Sequence, residues 1–318
     1  MRTRAVRFLL LGASVAALGC GDSAINTPTA PENPSFARTA TLTGTPAERV
    51  AQLAPGINAR LAAKGIRLSL TGAYFFTIGK GVTPFRSHNI DARWPFRNLT
   101  YYIDASDMTG DAPAAAVDAA LVNAYETWDA VSNITLDLTR VPDDQSNPDF
   151  LDVINLNPDG TCEDITDPQW QGPYADIVQG GWLGADYFGK CLGDEDIIAI
   201  TYVFSDPTDL NHDQFNDIVY VEQYMNDKWG FVTNGSVYLD FDGPFDIQSI
   251  AVHEDGHALG LNHTGGPNPN QPVGFKPNGQ FQLFHPVAVM NALNLGGEQR
   301  ALLPLDLASI RQLYSRVN

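Results

Sequence analysis

Three of the chain's six histidines fall within eleven residues, in His253-Glu254-Asp255-Gly256-His257-Ala258-Leu259-Gly260-Leu261-Asn262-His263. His253 and His257 are four apart, so a helix carries both imidazoles on one face. Gly260 lets the chain leave that helix sharply, and His263 then swings back as a third ligand. Three neutral imidazoles with one open position describe a catalytic zinc site rather than a closed structural one. Zinc brings the pKa of its water to ~7 and polarises a carbonyl. Glu254 stands beside the first ligand, where it can take the water's proton without ligating the metal and pass it to a leaving amine. The expected chemistry is therefore metal-assisted hydrolysis in which a carbonyl is attacked by water and an amine leaves. At this composition His-Glu-x-x-His arises in roughly 3 of 1,000 random chains, and the glycine and third histidine lower that to about 5 in a million. Chance core histidines on a helix are a poor account of that coincidence.

The elements that must hold these residues follow from the apolar spacing. A helix is expected from Ile247, with Asp246 as its N-cap. Pro113–Val131 reads as an amphipathic helix through Val117, Leu121, Ala124, Trp128 and Val131. A last helix, about Leu305–Tyr314, is amphipathic through Leu307, Ile310, Leu313 and Tyr314. Strands are expected at Leu99–Ile103, around Ile134, Leu136 and Leu138, and at Asp176–Val178, Ile197–Phe204, Ile218–Val221 and Ser236–Phe241. Upstream, Val50, Leu53, Ile57 and Leu61 suggest a helix over Arg49–Lys64 that Pro55-Gly56 interrupts, and Ile66–Ile78 is apolar and β-prone.

The His253–His263 segment resembles the zinc signature His-Glu-x-x-His-x-x-Gly-x-x-His of the metzincin metalloproteases. Met290, in Val287-Ala288-Val289-Met290-Asn291-Ala292, resembles the Met-turn that lies beneath the metal in that clan. Roughly residues 93–318 look matrixin-like, of the bacterial secreted or lipoprotein type, in Arg93-Trp94-Pro95, Leu99–Ile103, Ala124–Trp128, Tyr174–Ile177 and Leu305–Tyr314. The resemblance implies an α+β catalytic domain: a twisted, mixed, mostly parallel sheet over an active-site helix, with a C-terminal helix. It further implies that peptide bonds of a protein or peptide substrate are hydrolysed and that an edge strand within Ile197–Phe204 pairs with extended substrate. His263 and Met290 are 27 positions apart, longer than the usual matrixin connection, so specificity does not carry over. Ala292 replaces the metal-binding tyrosine of astacins and serralysins, and Thr264 follows the third histidine where matrixins usually have serine. With only His212 in the loop region, a second, structural zinc is not expected. No cysteine but Cys20 precedes the domain, so a cysteine switch is not expected, and Asp91 is the residue that could block the metal instead.

The N-terminus reads as a targeting segment. Met1–Arg7 holds three arginines and Phe8–Leu18 is an apolar run too short to span a bilayer. Ala17-Leu18-Gly19-Cys20 resembles a lipobox, which makes residues 1–19 a signal peptide and Cys20 a lipidated anchor. Ordinary secretion is the alternative. Residues 20–46 read as a flexible linker, 47–90 as a small helix-and-strand segment that is either a prodomain or an extension of the main domain, and 91–318 as the protease-like domain. Export, as a cell-envelope lipoprotein at the outer surface or outer membrane or as an extracellular protein, makes a Cys162–Cys191 disulfide the natural reading of the remaining cysteines.

Charge excludes a further class. The chain carries 19 Lys+Arg against 37 Asp+Glu, a formal charge of −18, which a nucleic-acid backbone would repel. Of those acids 29 are Asp, which suits turns and N-caps. Asp209, Asn211, Asp213 and Asp217 are spaced like the start of a calcium loop, but Gln214 and Tyr220 break the EF-hand pattern, so a solvated Asp/Asn turn fits as well. A monomer with one catalytic zinc is expected, with calcium left open. Two rivals remain: a catalytically silent surface lipoprotein that uses the fold for binding, and a calcium-stabilised adhesion module.

Overall fold

The computed structural model describes residues 42–77, 92–104, 112–143, 150, 162, 170, 172–206, 210–213, 215–235, 243–264, 266–267, 284–285, 288–291 and 298–315. Every described element belongs to the second of two units, Arg38–Asn318. The signal peptide, Cys20, Asp91, Asp209 and the strand expected at Ser236–Phe241 lie outside the described residues.

Seven strands form one mixed sheet in the order β1-β6-β7-β5-β3-β4, with β2 (Ala92–Arg93) paired in parallel to the start of β7. The strands β3 (Asn98–Ile103), β4 (Asp137–Arg140), β5 (Ile177–Leu183) and β7 (Asn216–Asn226) are mutually parallel. The strands β6 (Ile197–Asp206) and β1 (Ser69–Thr77) continue the sheet antiparallel. The expected α+β class with a mostly parallel mixed sheet is what the chain adopts. The small pairs β8 (Phe231–Val232) with β9 (Phe245–Asp246), and β10 (Gly266–Pro267) with β11 (Phe284–His285), lie outside that sheet.

One face of the sheet packs on α2 (Ala114–Asp129), α3 (Ile247–Ala258) and α4 (Pro304–Tyr314); the other packs on α1 (Pro46–Ala63) and a π-helical turn, Tyr187–Leu192. The alternation along β6 assigns the faces. Ala199 and Val203 join the core on the α3 side, whereas Ile200, Tyr202 and Phe204 join the opposite core. Thr201 therefore points toward α3.

Three local readings are corrected. The helix expected to break at Pro55-Gly56 runs unbroken through them, because Thr45 and Glu48 form a capping box and Val50, Ile57 and Leu61 are buried on one face. It also starts at Pro46, inside the stretch read as linker. Ile134 makes only an isolated bridge to Ser315, so the strand there is reduced to β4. The outer edge of β6, expected to receive substrate, is taken by β1, with Tyr74 opposite Thr201 and Phe76 opposite Ala199.

The expected disulfide is present. Cys162 bonds Cys191 of the π-helical turn, Cα–Cα 5.5 Å, in the core opposite the histidines.

Candidate metal centre

Helix α3 is fixed at both ends and along its back. Asp246 caps it, accepting from Ser249 N (3.0 Å), and is itself held by Arg300 through Nε (2.8 Å) and Nη2 (2.5 Å). Two buried indoles clamp its carbonyls: Trp128 Nε1 donates to Val252 O and Trp94 Nε1 to Ala258 O, both at 2.8 Å. Gly260 exits at φ +89°, and a Cβ there would lie 2.7 Å from Ala92 O, so the position demands glycine twice over. The turn it opens brings Leu261 N to Gly256 O (2.9 Å) and turns Leu261 O toward the helix.

That turn delivers His263 to the two helix histidines. The Nε2 atoms of His253, His257 and His263 lie 3.0, 3.1 and 3.2 Å from one another, all three residues buried. Two rings are locked from behind. His253 Nδ1 contacts Val289 O and His257 Nδ1 contacts Leu261 O, both at 2.7 Å. A carbonyl oxygen only accepts, so each Nδ1 carries the proton and each Nε2 turns a lone pair toward the centre. Burial holds His253 down at about 4, and burial with the neighbouring imidazoles holds His257 and His263 well below the usual range. Two neutral acceptors and the third imidazole nitrogen are thus aimed at one point, an arrangement that a cation between them would satisfy. One ion at about 2.0–2.1 Å from each nitrogen satisfies all three. The triad fits a metal ion, and among the described residues it is the only group of three or more His, Cys, Asp or Glu side chains so disposed.

Glu254 is fully buried beside the triad. Its Oε2 accepts from Thr201 Oγ1 of β6, and its Oε1 has no hydrogen-bond partner among the described residues. Burial pushes its carboxyl up to about 8, against the pull of the Thr201 bond. A carboxyl near that value trades a proton easily around neutral pH.

Met290 is buried against the helix: a Cβ on Gly256 would meet its Sδ at 2.3 Å, so only glycine admits it there. Its turn is anchored from α4, where the buried Asp306 accepts from Val289 N (2.9 Å), Met290 N (3.2 Å) and Leu303 N (2.9 Å). Thr264 N donates to Met290 O (2.7 Å) and Asn291 Nδ2 to Thr264 O (2.9 Å), which binds the stretch after His263 to the same turn.

Sequence reasoning missed four contributors: Thr201 on Glu254, Asp306 under the Met290 turn, and two rings of β1. Tyr74 stacks on His257 (centroids 4.3 Å, 7°) and Phe76 on His253 (3.7 Å, 10°). Asp306 closes the capping box of α4, but nothing local ties that carboxylate to the Met290 turn, and the other three belong to no local motif. Only the alternation of β6 and β1, once their pairing is known, points them at α3.

The acidic loop serves other contacts. Asp213 pairs with Arg93 at 2.6 Å and accepts from Phe215 N at 2.9 Å; Asn211 Oδ1 accepts from Asp213 N at 3.1 Å; the buried Asp217 accepts from the Leu210 amide. With Asp209 outside the described residues, these contacts are those of a turn tied to β2.

No protein-family model matches the chain, and no curated protein matches it.

Proposed function

We propose that the chain is a zinc-dependent endopeptidase of the metzincin, matrixin-like kind. The observation that carries this reading is the convergence of three Nε2 atoms within 3.2 Å of one another, beside the buried Glu254. Three neutral imidazoles suit zinc among the available divalent ions. Zinc held there supplies Lewis-acid polarisation of the scissile carbonyl and lowers the pKa of water to about 7.

The chain's own groups do the rest. Val289 O and Leu261 O hold the imidazoles in the ligating tautomer. Thr201 fixes one oxygen of Glu254 and leaves the other for the proton. Glu254 takes the proton of the attacking water as its oxygen bonds to the carbonyl carbon. It then delivers that proton to the nitrogen as the C–N bond breaks. The acidic chain is proposed to act on protein or peptide, not nucleic acid, as an exported monomer tethered through Cys20. One observation favours the silent binding protein as a second reading: in the chain as folded, Glu254, His253 and His257 are all fully covered.

The test compares a soluble chain starting after Cys20 with its Glu254→Ala variant. Both should hold one zinc, and cleavage of an unfolded protein should fall roughly 100- to 10,000-fold in the variant. Equal, measurable cleavage by the two chains refutes the mechanism.

A further inference from the structure

We propose that β1 is a resident occupant of the substrate edge, so that the full chain is held latent by residues 46–77. This rests on the peptidase reading above. A peptide that adds to an exposed sheet edge takes its main-chain hydrogen bonds from that edge and presents alternate side chains to the site beneath it. Strand β1 does this to β6, antiparallel, from Ser69 opposite Ser205 to Thr77 opposite Ile197. The residue opposite Thr201, which holds Glu254, is Tyr74, and its ring lies flat on His257. Two residues on, Phe76 lies flat on His253. The two helix ligands are thus roofed by the two side chains that point down from the added strand.

The burial along the strands is that of an edge: β1, like β4 at the other end of the sheet, is far less buried than the strands between them. Nine of ten residues of β6 and all seven of β5 are buried, but in β1 only Leu70 and Phe76 are. Its register slips twice, at Leu70/Gly72 and Phe76/Thr77. The segment is held by the apolar packing of Val50, Ile57, Leu61 and Leu70 and by several polar contacts. Asn58 of α1 brackets Leu70 through both backbone groups (2.6 and 3.3 Å), Lys64 Nζ donates to Trp170 O (3.0 Å), and Arg49 Nη1 donates to Lys190 O (3.2 Å). Strand β1 carries no His, Cys, Asp or Glu, so it brings no imidazole, thiolate or carboxylate to the triad. The block is therefore one of occupancy and stacking, with the metal left to its histidines.

The test uses the zinc-loaded full chain after Cys20 and three variants: Tyr74→Ala/Phe76→Ala, Tyr74→Ala alone, and Tyr74→Phe, which keeps the ring. Tyr74 is half-buried at the rim, so the single variant leaves the core intact should the double one fold poorly. Two rates are read: zinc transfer to dipicolinate, and cleavage of an unfolded protein. In the double variant both should rise roughly ten- to hundredfold, with the zinc transfer first-order in dipicolinate because the chelator now reaches the metal. Tyr74→Ala should show a smaller rise, and Tyr74→Phe should stay closer to the parent than Tyr74→Ala does. Unchanged or slower zinc transfer in both alanine variants, or transfer independent of dipicolinate concentration, overturns the occupancy. Faster, dipicolinate-dependent transfer upholds the cover over the histidines whether or not cleavage rises, because the β1 backbone still holds the edge of β6 in these variants. Rapid cleavage by the parent, with no gain in the variants, upholds the peptidase reading and overturns the latency.

Discussion

Asp306 is the least obvious support of the metal centre, and its removal has a calculable effect. Its carboxylate lies fully buried and accepts from three backbone N–H groups, two of them in the turn that carries Val289 and Met290. Val289 O in turn receives the His253 Nδ1 proton. Asp306→Ala leaves two buried donors unpaired, at roughly 1–3 kcal/mol each, and the part-buried Leu303 N–H as a third at lower cost. Part of that is offset because a buried carboxylate no longer has to be desolvated, the same burial that raises its pKa in the folded chain. A net loss of about 3–4 kcal/mol follows. The turn should also loosen under His253 and weaken zinc binding by roughly 10- to 100-fold, the usual effect of losing a partner behind a metal ligand. Equilibrium urea unfolding followed by tryptophan fluorescence reads the first quantity, and chelator competition reads the second. A stability loss under about 1 kcal/mol, or a full loss with zinc affinity unchanged, refutes the chain of contacts from α4 to the metal.

Two further outcomes are expected. Burial pushes the Asp246 carboxyl up, but the hydrogen bonds and charge of Arg300 and the bonds from Ser249 outweigh it and hold it below the usual range. Its unfolded counterpart then takes up a proton first, near pH 3.9, so its stabilisation is complete above that pH and is lost as pH falls through the folded value. Stability should decline between pH 5 and 3 more steeply in the parent than in Asp246→Asn, by no more than the ~1.4 kcal/mol per pH unit that one proton allows; equal slopes by urea unfolding count against it. Replacing Cys162 and Cys191 by Ser opens a loop of sequence separation 29 and should cost about 3–4 kcal/mol. Zinc content should be unchanged, because the bond lies in the core opposite the triad; loss of metal in that variant contradicts the separation.

Much of the centre was legible before any fold was known, because its decisive geometry is local. Residues four apart share a helix face whatever surrounds them. Asp246 caps and Gly260 ends the helix through contacts within a few residues. These interactions lie within one or two turns of chain, so the order of residues suffices to specify them. The parallel strands β3, β5 and β7 were legible for a similar reason, as short apolar runs between turn residues.

What the order of residues left open is everything carried by pairing between distant segments. Nothing near Thr201 marks it as the partner of a carboxyl 53 positions on. Nothing near Tyr74 or Phe76 marks them as roofs over histidines. Their roles depend on which strand lies beside β6 and in which register, and a slip of one residue would turn both rings to the other face. Pro55, which reads as a helix break, is overruled because the burial of Val50, Ile57 and Leu61 exceeds the cost of one missing hydrogen bond. The sequence alone determined which imidazoles converge on one point, through the periodicity of a single helix and the turn that ends it. The tertiary structure alone decided what holds those rings in place and what covers them, because sheet pairing joins residues that no local pattern relates.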